Sequence, residues 1–503
     1  MIYNLDDNLR RSASNFPDKY AYIYKDKSVT YQELNQQIDQ LAAGLFAQGV
    51  RKGDGVALIL DNSPEFIIAY YGILRLGAFA VPINPMFTKG EISYILDNSQ
   101  AKAVIAHASV ESKLSELKEK SRDITCVIYV DGKNQEWAWE RLMETSNLDF
   151  ESPFIDQDDL AVILYTSGTT GKPKGAMLSH RNLASNAESI STLVELHDED
   201  RVVAVLPMFH VFCMTVSLNA PIACGATVII IPRFSPLDVV RTIREKQGTV
   251  FVGVPTMYNF IYQLSEATAE DFSSIRLCIS GGASIPIELL QNFQNKFNVM
   301  ILEGYGLSET SPLVAINPLK GTRKTGSIGL NIPGVKSKVV NEERKELPRG
   351  EVGELVVQGP NVMKGYLKMP EATIAALIDG WFYTGDLARM DEEGYIYIVD
   401  RKKDIIIVGG YNVYPREVEE VLYQHPFIVE ASVVGVPDEG YGEIVKAYVV
   451  VRDEQITIED IIHFCQDKLV KYKLPRQVEF LKELPKNSTG KTLRRKLRQL
   501  TEV

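Results

Sequence analysis

The 503-residue chain is poor in cysteine: Cys126, Cys213, Cys224, Cys278 and Cys465 are scattered, odd in number and never spaced as CxxC. That argues against a disulfide framework or a structural zinc site and for a reducing compartment. The opening MIYNLDDNLRRSASNF lacks the apolar core of a secretory signal. No stretch approaches the ~20 apolar residues that span a bilayer. The closing RQLTEV is not an organelle address of the simple terminal kind. A cytoplasmic setting is expected. Positive charge is also short, with 54 Lys and Arg against 65 Asp and Glu and a formal net charge of -11. Nucleic acid is therefore not an expected partner, because phosphate backbones are held by clustered Lys and Arg. A small anionic substrate needs only a local basic pocket and stays open. Internal repeats and low-complexity tracts are absent from the sequence.

What is present is an ordinary globular composition, 45% hydrophobic and 24% charged, in a chain too long for one core. β-branched runs recur as GVALIL at 55–60, KAVIAHA at 102–108, LAVILYTS at 160–167, GATVIIIP at 225–232, GTVFVGVP at 248–255 and IRLCISGG at 275–282. Helical patterns such as 31–48 and 64–76 lie between several of them. Continuous apolar strands alternating with amphipathic helices predict helix-covered parallel sheets. From Gly326 to about Gly365 the PG, PRG and QGP turns predict a more antiparallel, barrel-like region. Near Asp400 the charged VDRKKD turns abruptly apolar, and a compact α+β pattern follows, with a helix over 415–424 opened by Pro415. The expected fold is α/β. A large N-terminal domain over 1–400 has two helix-covered mixed sheets and a small barrel-like β region; a small mobile α+β domain covers 401–503.

The strongest local signal is Tyr165-Thr-Ser-Gly-Thr-Thr-Gly-Lys-Pro-Lys-Gly175, directly after the strand LAVIL. Glycines allow close backbone approach, hydroxyls and free N–H groups can surround phosphate oxygens, and Lys172 and Lys174 add positive charge. It is not a Walker loop, since Pro173 follows GxxGK where Ser or Thr is required. The ordinary alternative is a flexible loop of small polar residues. Seven further motifs follow: Leu206-Pro-Met-Phe-His210, Ser280-Gly-Gly-Ala283, Gly304-Tyr-Gly-Leu-Ser-Glu-Thr310, Tyr383-Thr-Gly-Asp386, Asp400-Arg-Lys-Lys-Asp404, Gly409-Gly-Tyr-Asn412 and Pro485-Lys-Asn-Ser-Thr-Gly-Lys491. Together, and in this order, they resemble the acyl-adenylate-forming superfamily over nearly the whole chain. That superfamily includes acyl-CoA synthetases, firefly-type luciferases and the adenylation domains of peptide synthetases.

The resemblance implies an enzyme that uses ATP to activate a carboxylic acid as an acyl-adenylate with loss of pyrophosphate, then passes the acyl group to CoA. Negative charge on the phosphates must be neutralised as the acid attacks. Glu309 is the natural Mg2+ anchor, since a hard cation prefers carboxylate and phosphate oxygens, and the resemblance adds Thr166. It likewise implies a nucleotide cradle of Ser167, Gly168, Thr169, Thr170, Gly171 and Lys174. Tyr305 would stack on adenine, with Gly281, Gly282, Ala283, Glu303 and Gly304 shaping that pocket and Thr310 and Ile398 beside it. Asp386 would bind the ribose, assisted by Arg401; the commoner fate of Asp beside Gly is a turn or cap. Lys491 would bridge the acid carboxylate and the ATP phosphate, which suits a mobile ammonium. The basic run after it, Arg494, Arg495 and Lys496, reads as a solvated chain-end face. The hinge of the small domain maps to Lys403, and the Gly409–Gly410 loop would replace Lys491 and admit the pantetheine arm.

His210 is expected to orient the acid's carboxylate without being an obligatory base. Amino-acid-activating relatives carry an Asp there, and an unpartnered buried ammonium is costly, so an amino-acid substrate is disfavoured. Acetate-specific relatives have Trp at the place of Gly306, so glycine is expected to leave the pocket floor open, with Gly282 and His210 also against the acid. Met208, Phe212, Cys213, Met214 and Met257 are apolar wall candidates. The expected substrate is a medium- or long-chain fatty acid, with at most peripheral membrane contact. An aryl or cinnamate-type acid, and a stand-alone enzyme loading a carrier protein, remain open.

Overall fold

The β-branched runs form strands because they are short and apolar on both faces, most of them bounded by Gly or Pro. A computed structural model of the chain describes residues 4–120, 124–131, 138–144, 150–166, 173–452, 455–488 and 490–500. Strands Leu277–Ser280, Val250–Gly253, Arg201–Ala204 and Thr227–Ile230 run parallel at the centre of a nine-stranded sheet, with Ile301–Gly306 beside Leu277–Ser280. Antiparallel pairs close both edges, so the sheet is mixed. A seven-stranded sheet is built around Gly55–Ile59, Phe79–Pro82, Ala101–Ala106 and Leu160–Thr166, again mainly parallel. Helices cover these sheets. Tyr31–Ala47 starts at a capping box between Thr30 and Glu33, and Pro64–Arg75 starts at Ser63 with Pro at its first position.

A third, five-stranded sheet is antiparallel: Lys336–Val340, Gly353–Gln358, Leu377–Ile378, Trp381–Met390 and Ile396–Arg401. It reaches further along the chain than the expected 326–365. Leu330–Asn331 instead edges the nine-stranded sheet and Gly365–Tyr366 the seven-stranded one. Two-residue strands carry no alternation from which a register could be read. Arg401 pairs within the third sheet, and the fourth begins at Ile406, so the two domains meet at the turn Lys402–Asp404.

The fourth sheet, Tyr411–Val413, Ile406–Val408, Gly442–Val451, Ile428–Asp438 and Gln477–Phe480, has its own core of Val413, Val418, Leu422, Val433, Ala447, Val449 and Ile461. A unit with a separate core can turn as a body. In the large domain, the carboxyl ends of the parallel strands deliver the motif loops. His210 follows Arg201–Ala204, the Gly281–Ala283 turn follows Leu277–Ser280, and Tyr305 closes Ile301–Gly306. Open α/β sheets bind ligands at this edge.

Candidate active site

Strands Trp381–Met390 and Ile396–Arg401 pair with Asp386 directly opposite Arg401. The Asp386 carboxylate is buried, so its charge needs partners. Arg401 Nε lies 3.1 Å from Oδ1, and the Tyr305 hydroxyl donates to Oδ2 at 2.6 Å. Burial and, secondarily, the Asp386 charge push the Tyr305 phenol well above its usual range, so it remains a donor. About two of a carboxylate's four acceptor positions are then used, leaving room for two ribose hydroxyls.

The Lys174–Ser179 strand, which leaves the phosphate loop, carries a second cluster. Gly365–Tyr366 pairs with it, placing Tyr366 opposite Ala176. The Tyr366 hydroxyl donates to Glu309 Oε1 at 2.9 Å, and Lys174 Nζ stands 5.0 Å over the Tyr366 ring. Thr166 ends Leu160–Thr166, its hydroxyl 3.4 Å from the Lys174 carbonyl. Ser167, Gly168, Thr169, Thr170, Gly171 and Lys172 lie outside the described residues. Among the described residues no cluster of three or more His, Cys, Asp or Glu could hold a metal. The Glu309 carboxylate and Thr166 hydroxyl offer oxygen donors only. That set fits Mg2+, which takes few protein ligands and completes its shell with phosphate and water.

The small domain brings Lys491 to the cleft. An antiparallel bridge between Lys486 and Thr492 closes a tight turn, with Lys491 N–H bonded to Asn487 Oδ1 at 2.9 Å. Asn84 Nδ2 donates to Ser488 Oγ at 3.0 Å, and Thr256 Oγ1 lies 3.5 Å from the Gly490 carbonyl. Gly490 has φ +83°, and a Cβ there would sit 2.6 Å from Thr256 Oγ1, so only glycine allows this approach. The Lys491 side chain is exposed, within reach of the Arg401 and Asp386 charges. Desolvation, then the Arg401 charge, pushes its ammonium down to about 8. Desolvation, then Lys491, pushes His210 down to about 4. Phe212 N–H donates to His210 Nδ1 at 3.3 Å, which assigns the ring proton to Nε2. Lys403 is exposed in the Lys402–Asp404 turn, and Gly409 and Gly410 lie exposed on the small domain, Gly409 N–H bonded to the Tyr441 carbonyl at 2.8 Å.

Gly281 is buried against the Phe212 ring, while Gly282 and Ala283 are exposed. Gly304 and Ile398 are partly buried. Ile398 presents its carbonyl to Arg416 Nη1 at 2.7 Å. Three expectations need correction. Thr310 is fully buried, its hydroxyl 2.5 Å from the Pro312 carbonyl, so it shapes the turn and does not face a nucleotide. Gly306 is not simply spare room: a Cβ there would fall 2.0 Å from the Pro312 carbonyl oxygen, so close backbone approach requires the glycine. Arg494 is no solvated charge. It pairs with Asp400 at 3.0 Å, Glu419 at 2.7 Å and Asp404 at 3.5 Å, joining the end of the third sheet to the small domain. Tyr366, Asn84 and Arg416 had no motif to mark them.

Glu303 is buried, with the Ile285 N–H 3.3 Å from Oε1. Burial pushes its carboxyl up to about 7, against a lowering by the nearby Arg416 charge of the small domain. A raised carboxyl pKa means that the native state holds the proton more tightly, so stability from this group falls as pH rises toward 7 and levels off above it. Glu303→Gln should therefore gain in unfolding temperature over the parent as pH goes from 5 to 7, with no further gain by pH 8. A difference independent of pH in calorimetry would refute the assignment.

Family models match both parts of the chain: the AMP-binding enzyme family over residues 9–367, and its C-terminal domain family over 417–491. A long-chain-fatty-acid–CoA ligase of Bacillus subtilis strain 168 is 39% identical, covering 98% of this chain and 94% of that protein. Among solved structures, an anthranilate CoA ligase in complex with anthranoyl-AMP superposes with a TM-score of 0.94 at 30% identity, covering 99% of this chain and 97% of the other. ATP-bound MatB from Rhodopseudomonas palustris gives 0.91 at 34% identity, covering 99% of both.

Proposed function

The chain belongs to the family of AMP-binding enzymes, and we propose that it joins medium- or long-chain fatty acids to CoA through an acyl-adenylate. It is an AMP-forming acid:CoA ligase, with ATP and CoA as co-substrates. The observation that carries the mechanistic reading is Lys491 held in the cleft near His210, Arg401 and Asp386. A cation there offsets charge on the acid carboxylate and the phosphate as the α-phosphorus is attacked. His210, neutral at pH 7, offers its Nε2–H to a carboxylate oxygen and is too weak a base to remove a proton. Asp386 and Arg401 hold the ribose. Glu309 and Thr166 would ligate Mg2+, which supplies charge neutralisation on the phosphates. Acyl transfer to CoA then follows rotation of the small domain about Lys403, which carries Lys491 away and presents Gly409 and Gly410.

Support for the rotation is the separate core of the small domain and the light polar tether of the Lys491 turn, through Asn84 and Thr256. The fatty acid is supported by the name of the 39% identical relative, and the apolar wall candidates Met208, Phe212, Cys213, Met214 and Met257 are all buried. All five cysteines are free, which supports a cytoplasmic site. No helix among the described residues is long and apolar enough to cross a membrane. Any membrane contact in this reading is peripheral, made to collect the lipid substrate.

The test is acid- and CoA-dependent AMP release with acetate, octanoate, palmitate, coumarate and alanine. The highest kcat/KM should fall on octanoate or palmitate. A preference for coumarate would keep the chemistry and move the substrate to aryl acids. Adenylate formation without thioester would replace CoA by a carrier protein.

A further inference from the structure

We propose that Tyr366 is a positioning residue for the metal–nucleotide end of the site: its hydroxyl fixes the Glu309 carboxylate, and its ring supports Lys174. This rests on the reading of Glu309 as the Mg2+ anchor given above.

A single side chain joins two groups from distant parts of the chain. The phenol donates to Glu309 Oε1 at 2.9 Å, and Lys174 Nζ lies 5.0 Å over the face of the same ring. Cation–π attraction favours that geometry. The ring is largely buried, at 8% exposure. A phenol, with an ordinary pKa of about 10, is protonated at neutral pH and can donate this bond. Among the described residues no other bond to the Glu309 side chain is present. One of the four acceptor positions of the carboxylate is used by the phenol, so its remaining positions stay open to a cation. A carboxylate with one oxygen tied keeps a fixed orientation, as partners of metal ligands do in general.

The backbone around Tyr366 is itself braced. Tyr366 N–H donates to Thr373 Oγ1 at 2.9 Å, Leu367 N–H to the Gly175 carbonyl at 2.8 Å, and Met363 N–H to the Glu309 carbonyl at 2.9 Å. The two-residue strand Gly365–Tyr366 thus locks the exit of the phosphate loop and the Glu309 turn to one element. Nothing in the reaction requires Tyr366 to exchange a proton, and its role is orientation alone.

The experiment compares ATP binding to the parent and to Tyr366→Phe by calorimetry, without acid or CoA, in saturating Mg2+ and again in EDTA. The phenylalanine keeps the ring under Lys174 and removes only the donor. ATP affinity in Mg2+ should fall about ten-fold, the loss typical of an outer partner of a metal ligand, while affinity in EDTA stays unchanged. Because the readout is the ratio of two constants on one sample, partial unfolding lowers both and cannot mimic the result. In a Glu309→Gln background the same substitution should add little to the ratio. An unchanged ratio in Tyr366→Phe overturns the proposal. An equal loss in Mg2+ and EDTA also overturns it and assigns Tyr366 to the loop alone. If the parent itself binds ATP equally with and without Mg2+, the Glu309 assignment fails, and that is distinguishable from failure of the Tyr366 role alone.

Discussion

Lys491→Ala is expected to slow acyl-adenylate formation by roughly 10²- to 10³-fold, the usual loss when a preorganised electrostatic partner of the transition state is removed. Thioester formation from supplied acyl-AMP and CoA should be largely retained. The asymmetry follows from the turn that carries Lys491. It reaches the large domain through Asn84–Ser488 and the close approach of Gly490 to Thr256, and both contacts are lost if the small domain turns. Pyrophosphate exchange reads the first half-reaction, and CoA-dependent release of AMP from acyl-AMP reads the second. Equal loss in both would mean that one domain arrangement serves both steps. The ammonium is pushed down to about 8, so its charged form prevails below that pH. In kcat/KM for ATP, which reports the free enzyme, activity should decline as pH rises through 8. Lys491→Arg should shift that decline upward, because a guanidinium stays protonated. A limb unmoved by Lys491→Arg would belong to another group.

Much of this architecture was legible because its signals are local. Several of the parallel strands are continuous apolar runs, so Leu160–Thr166 or Val250–Gly253 could be placed to within two or three residues. The pairs Leu330–Asn331 and Gly365–Tyr366 could not, since their pairing is decided by what lies across from them. The same division runs through the site. Asp386 and Arg401 sit in recognisable motifs, and strand register brings them together. Tyr366 is 57 residues from Glu309, and its role exists only in their contact. Gly306 was legible as glycine but not in its reason: the crowding atom belongs to Pro312, brought close by the turn through Ser308–Thr310. Charge runs mislead in the same way, because sequence does not say which of several adjacent cations faces inward.

Arg494→Met is the sharpest case of that last point and should loosen the small domain by about 3 kcal/mol, the scale for breaking a largely buried charge cluster. Arg494 is 20% exposed, and its partners Asp400, Asp404 and Glu419 are more buried still. Removing the guanidinium leaves three carboxylates facing one another; among the described residues Arg498 still pairs with Asp404, while Asp400 and Glu419 keep backbone N–H bonds from Arg401, Arg416 and Val433. Methionine keeps the aliphatic stem, so the loss is one of charge rather than volume. Asp400 belongs to the last strand of the large domain, whereas Glu419 lies on the helix Pro415–Tyr423 beyond the hinge. The guanidinium therefore clasps the two domains in the orientation that puts Lys491 in the cleft. Besides a lower unfolding temperature, Arg494→Met should lose more of the adenylation rate than of the thioester rate. Arg495 and Lys496 are exposed neighbours, and their alanine variants should stay within about 0.5 kcal/mol of the parent. If Arg494→Met unfolds at the same temperature as Arg495→Ala, the cluster does not hold the small domain. If it unfolds early but slows both half-reactions equally, Arg494 is structural and does not clasp the domains for the first step.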